Sequence, residues 1–182
     1  MSVPATTRSQ HGISLIETLT VLSIVSVAIG SALPGLGSLR QKAELQGAAG
    51  QIETDIQFAR GQAVALNRSV QLTLREVGGA TCYMVHVGPA ANCSCDGRAP
   101  STASCGSGSE LLRAALFAAG GPVQVRSSTK SMTFDPVRGT VTPTATLRIE
   151  ATDGRAIHQV VNLLGRVRTC SPTARIVDER AC

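Results

Sequence analysis

One carboxylate, Glu17, sits near the start of a segment that is otherwise apolar, GISLIETLTVLSIV over residues 12–25. As a helix, the uncharged run from Thr18 to Leu33 would extend about 24 Å, close to the thickness of a bilayer core. A charge held in lipid is expensive, so Glu17 requires a partner or a purpose. Polar residues 1–12, with Arg8 and His11, come first, then a glycine, then the apolar run. A secretory signal instead places its small-residue cut site after the apolar core. A cut after Gly12 would remove only the leader and leave the apolar helix at the new terminus.

This order of leader, glycine, apolar helix and early glutamate resembles the type IV pilin and pseudopilin family. The resemblance implies that a prepilin peptidase cuts between Gly12 and Ile13 and N-methylates Ile13, where the family more often has Phe. It also implies that Glu17 neutralises the terminal amine of a neighbouring subunit as apolar helices bundle into a filament, which removes two costly charges together. Pro34 stands where pilins carry a helix-interrupting proline. The implied organisation is a leader over 1–12, a transmembrane and filament-core helix over 13–36, and a periplasmic pilin-like domain over 37–182 with a tail at 165–182. The implied location is the inner membrane, single-pass, with incorporation into a pilus or pseudopilus.

Of the 182 residues, those beyond leader and anchor number about 145, enough for one globular domain with its own core. The net charge of +5 is modest, but 15 of the 17 basic residues are Arg, and only Lys42 and Lys130 are Lys. Arg supplies the planar, bidentate phosphate contacts that Lys lacks. Tyr83, Phe58, Phe117 and Phe134 are the whole aromatic supply. A base-stacking surface of the kind used by many single-strand binders is therefore not expected. Six cysteines in an exported domain favour disulfides. Cys82, Cys93, Cys95 and Cys105 cluster in a Gly/Ser/Pro/Ala-rich insert, and Cys170 and Cys182 bracket the C-terminal tail. Zinc is the rival, but Cys93-Ser94-Cys95 is tighter than the usual structural pair. Six cysteines allow 15 pairings, among which spacing does not choose. The expectation is full oxidation, no metal or other cofactor, and Cys170 joined to Cys182.

Leu45, Ala49, Ile52, Ile56, Ala59, Ala63 and Leu66 recur at steps of four and three, which predicts one face of a helix running to about Asn67. Glu44, Glu53, Asp55 and Arg60 are assigned to its polar side. The period then changes to two: Val70, Leu72 and Leu74 alternate with polar residues as a half-buried strand. Further strands are expected at 83–87, 123–126, 131–134 and 140–142. Leu147, Ile149 and Ala151 face opposite Arg148 and Glu150, and Asp153-Gly154 turns that strand into 156–164 as a hairpin. Residues 111–119 fit a helix or a strand. A helix followed by strands predicts an α+β fold, a long N-terminal helix packed on a mainly antiparallel sheet. Three segments resemble the FimT/GspH branch of the pilin superfamily: DIQFARGQA at 55–63, MTFDPVRG at 132–139 and LGRVRTC at 164–170.

No catalytic constellation is present. His86 and His158 read as ordinary strand residues, no nucleophile elbow occurs, and no phosphate-cradling glycine loop joins a strand to a helix; an enzyme is not expected. The tail is different. In an extended segment Arg166 and Arg168 project from one face about 6.6 Å apart, and Arg175 and Arg180 follow. A Cys170–Cys182 bond would hold both later arginines near the first pair, and Gly165 permits a bend or a close approach. Such a surface contacts successive phosphates with little base discrimination. FimT-like minor pilins use a G-R-x-R tail to bind DNA in natural transformation, and Gly165, Arg166 and Arg168 match that form. The resemblance thus implies a minor pilin that binds DNA non-specifically, with DNA, other pilins or pseudopilins, prepilin peptidase and the inner membrane as partners. The alternative is a GspH-like pseudopilin, a structural tip component of a type II secretion system.

Overall fold

A computed structural model describes residues 14–172 and 180–182, with side chains throughout except at 31–36. The chain divides into two compact units, residues 1–39 and 40–182. A single helix, α1 (Leu15–Leu66), begins in the first and ends in the second. It is unbroken at position 34, where the sequence suggests an interruption. A helical proline removes one backbone hydrogen bond, and the turns on either side continue the helix.

In the first unit the apolar side chains are uncovered: Leu15, Ile16, Leu19, Leu22 and Ile24 are all exposed. The hydroxyls of Thr18, Thr20, Ser23 and Ser26 turn back to helix carbonyls three or four residues earlier, at 2.7–2.9 Å. Their polarity is thereby satisfied within the helix, as an apolar environment requires. Among the described residues no helix is long and apolar enough to cross a membrane.

The second unit opens with the rest of α1. The helix stops at Asn67, whose φ of 49° is the left-handed conformation that ends many helices. The Asn67 amide donates to Val64 O at 3.3 Å and the Arg68 amide to Ala63 O at 3.2 Å, so two terminal carbonyls are satisfied. The strands that follow are β1 (Val70–Val77), β2 (Ala80–Val87), β3 (Cys93–Ser94), β4 (Ser104–Cys105), β5 (Glu110–Phe117), β6 (Val123–Ser127), β7 (Ser131–Phe134), β8 (Val141–Thr142), β9 (Ala145–Ala151), β10 (Ala156–Val161) and β11 (Val167–Cys170). They form a five-stranded sheet, β5-β2-β1-β7-β8, a four-stranded sheet, β11-β10-β9-β6, and the small ribbon β3-β4. Neighbouring strands within these sheets pair antiparallel. The fold is α+β, a long helix on antiparallel sheet.

Leu45, Ala49, Ile52, Ile56, Ala59 and Ala63 are buried against Leu72, Tyr83, Val85, Phe134, Leu147 and Ile149, so one helix face covers both larger sheets. Alanines on that face let the helix approach the strands closely. Two helix assignments are corrected. Leu66 is 41% exposed, because the helix ends there and its last turn leaves the core. Asp55, placed on the polar side by its charge, is only 2% exposed. It accepts a hydrogen bond from the Tyr83 hydroxyl and pairs with the Arg113 guanidinium. Partners on β2 and β5 make its burial tolerable, and the helix period could not reveal them. The ambiguous 111–119 segment is the strand β5, held by antiparallel pairing with β2.

Strand β2 is buried along its whole length. Tyr83, Val85 and Val87 enter the main core, while Cys82 and Met84 join a second cluster with Cys93, Cys95 and Ala103. The cysteine-rich insert is thus a cover over the outer face of β2, stapled by Cys82–Cys95 and Cys93–Cys105. The third bond joins Cys170 to Cys182, and no cysteine is free. Both described histidines lie in strands. His86 on β2 is fully buried, its Nε2 2.9 Å from the Thr73 hydroxyl.

Candidate nucleic-acid interface in the C-terminal tail

The tail begins with a turn built by one side chain. Asn162 Oδ1 accepts the amides of Leu164 at 3.0 Å and Arg166 at 2.9 Å, while the Asn162 amide donates to the Arg166 carbonyl at 3.1 Å. Gly165, at φ +70°, closes this turn. A Cβ there would lie 3.2 Å from both Arg60 Cδ and Val141 Cγ2. The backbone is therefore pressed against the helix and β8, and the Val141 amide reaches the turn's Leu163 carbonyl at 2.8 Å. Gly165→Ala is expected to cost about 1–2 kcal/mol, from left-handed strain and the tight contact together; denaturant unfolding measures it.

The three separated segments with a family likeness also meet at Arg60. Its guanidinium lies 3.6 Å from where a Cβ on Gly139 would be, and its stem abuts Gly165. Gly139, at φ +61°, belongs to the turn in which Asp135 Oδ1 accepts the Val137 and Arg138 amides at 2.9 and 2.7 Å. Those amides, Arg138's first, hold the Asp135 carboxyl below its ordinary pKa. The end of α1, the 135–139 turn and the tail turn thus meet around one arginine. Sequence reasoning placed Arg60 on a polar helix face and missed this junction. The signal was available in the family-like run that contains Arg60.

From Gly165 the chain enters β11, an edge strand bonded to β10 with Val161 opposite Val167, Val160 opposite Arg168, and His158 opposite Cys170. Alternation turns Val167 partly inward and leaves Arg166 and Arg168 exposed. Beyond the strand, the Ser171 amide donates to Arg180 O at 2.7 Å and the Cys182 amide to Ser171 O at 3.2 Å. With the Cys170–Cys182 bond, these contacts return the chain end to the sheet edge. Arg168 and Arg180 line one groove of about 570 Å³ beside Thr169 and Val160. Among the described residues, no carboxylate forms an ion pair with Arg166, Arg168 or Arg180. Burial, and after it the nearby Arg148 guanidinium, lowers the His158 pKa, so this imidazole adds no charge to the region at neutral pH.

The structure therefore brings Gly165, Arg166, Arg168 and Arg180 to one edge. Arg175, Gly12 and Ile13 lie outside the described residues. Glu17 is in the first turn of α1 and exposed.

Residues 48–165 match the family described as type II transport protein GspH. The match ends at the tail glycine, so Arg166 and Arg168 lie just past it. Two crystal structures of the Pseudomonas aeruginosa type IV minor pilin FimU are similar, each 20% identical. One covers 71% of this chain and 93% of that chain with a TM-score of 0.48, and the other 70% and 97% with 0.45. No curated protein matches the chain. With well over half its length matched, from the middle of α1 to the tail turn, this chain belongs to the GspH family, in the GspH/FimT-like branch of the type IV pilin and pseudopilin superfamily.

Proposed function

We propose that this subunit is a minor pilin that binds the phosphate backbone of DNA without sequence preference through Gly165, Arg166, Arg168, Arg175 and Arg180, for uptake in natural transformation. The observation that carries the reading is the edge of β11, where Arg166 and Arg168 are exposed and Arg168 shares a groove with Arg180, without a carboxylate partner among the described residues. Unpaired guanidinium groups in a row suit phosphate oxygens. Gel shifts of the full-length chain in neutral detergent, across DNA sequences and salt concentrations, test it. Two to four phosphate contacts from the tail give a log–log salt slope on duplex DNA of about −2 to −4. Strong dependence on base sequence would instead mean direct readout of base edges.

The remaining assignments belong to the same proposal. The exposed apolar side chains of Leu15, Ile16 and Leu19 favour a helix that is covered by lipid before assembly and by neighbouring helices after it. Glu17 then meets a neighbour's terminal amine. Processing is expected between Gly12 and Ile13, leaving N-methylated Ile13. Mass spectrometry of membrane-extracted protein checks this, and an intact leader or a cut beyond Leu33 would overturn it.

A second reading is a structural pseudopilus component of type II secretion, which the match to the family of type II transport protein GspH favours. Both readings share the helix and fold. DNA binding by the tail separates them.

A further inference from the structure

The four-stranded sheet has an outer face that the proposed function does not use. Its inner face is apolar, with Val125, Leu147 and Ile149 buried. Strand alternation sends Arg126 of β6 and Arg148 of β9 outward, where both are exposed, and the register sets them directly opposite each other. A like-charged cross-strand pair is destabilising unless something of opposite charge lies across it. Neither arginine forms an ion pair among the described residues. Glu150, two residues along β9 and opposite Gln124, is the carboxylate nearest in register on that face.

The pair also sits between two other cationic features. On one side, β11 forms the far edge of the same sheet and carries Arg168 on the same outer face, opposite the outward-facing Val160. On the other, Arg126 lines a cleft of about 680 Å³ together with Arg75 and Lys130, against the single carboxylate of Glu76. Arg75 Nε and Thr129 Oγ1, both in residues lining that cleft, are buried without a hydrogen-bond partner among the described residues. Buried polar atoms left in this way are met by water or by a ligand. The three strand spacings from β11 to β6 amount to about 14 Å, roughly four base-pair rises of a duplex.

We propose that the outer face of this sheet, through Arg126 and Arg148, continues the phosphate-contacting surface of the tail across to the Arg75–Lys130 cleft, so that one nucleic-acid backbone crosses the whole sheet. The inference rests on the tail reading and extends it. A phosphate lying over Arg126 and Arg148 relieves their mutual repulsion, which gives the opposed pair a role that solubility alone does not require. The scarcity of aromatic residues fits a track that reads backbone and not bases.

The test uses the full-length chain in neutral detergent with a random-sequence duplex. The double variant Arg126→Gln/Arg148→Gln keeps the tail intact. Its affinity is expected to fall about tenfold, equally across sequences, with a salt slope shallower by about 2 than the parent's. Arg126→Lys/Arg148→Lys keeps the charge and is expected to keep the slope, which separates a charge effect from a folding defect. Thermal melting of the Gln variant is expected to match or exceed the parent, since a repulsive pair has gone. Parent-like affinity and slope in the Gln variant overturn the sheet-face track while the tail reading stands. No binding by the parent chain overturns both.

Discussion

Exchanging Arg166 and Arg168 together for Gln is expected to remove most DNA binding and to leave the fold unchanged. The two side chains are exposed on the tail and make no ion pair among the described residues, so the folded domain gains little from their charge. Surface substitutions of this kind stay within about 0.5 kcal/mol. The backbone pairing that holds β11 to β10 runs from Val167 to Cys170 and does not depend on either side chain. Binding, by contrast, loses two adjacent phosphate contacts at once. The salt slope is expected to become shallower by about 2, the release of roughly two counterions. Gel shifts at two salt concentrations measure this, with thermal melting as the folding control. In a competent host the same variant is expected to abolish transformation. Gel shifts equal to the parent's would favour the secretion pseudopilin. On the proposed function, the modest number of contacts per subunit predicts that retention of DNA in a filament draws on several copies acting together.

Asp55→Ala is expected to destabilise the second unit by about 3 kcal/mol. Asp55 lies on α1 at 2% exposure, with the Tyr83 hydroxyl of β2 and the Arg113 guanidinium of β5 as partners. Burial, followed by the hydrogen bond to Asp55, pushes the Tyr83 phenol far above its ordinary range, so it remains a neutral donor at any working pH. Removing the carboxylate strands that donor in the core. Arg113 suffers less, because its side chain is 42% exposed and its guanidinium lies 4.1 Å from the centre of the Phe58 ring. Asp55→Asn retains an acceptor for Tyr83 and is expected to cost about half as much, and Tyr83→Phe about 1–2 kcal/mol. Urea unfolding measures all three. An Asp55→Ala midpoint near the parent's would mean that the helix is held to β2 and β5 by apolar contacts alone.

The same residue shows where pattern reading stopped. Hydrophobic periodicity located the helix, its buried face and the β9–β10 hairpin, because 3.6- and 2-residue periods follow directly from where side chains must point. Charge was then read as exposure, and that rule failed at Asp55 because two of its partners are 28 and 58 residues away in the chain. The 111–119 segment was undecidable for a related reason: its strand state comes from pairing with β2, a non-local event that its own composition does not encode. The tail arginines were legible as a motif. Their presentation, however, depends on Arg60 meeting the two glycine turns and on Cys170 reaching Cys182.

By itself the sequence determined the apolar, glutamate-bearing start, the helix followed by strands, the six cysteines that favour disulfides and the pair of arginines after Gly165. Each of these is a local property, set by residue type and short-range spacing. Only the tertiary structure decided that the cysteine insert covers β2, that three distant segments converge on Arg60, and that Arg126 faces Arg148 across two strands. Those are consequences of register, and register is set by burying one common core: a single-residue slip would turn every inward side chain of a strand outward.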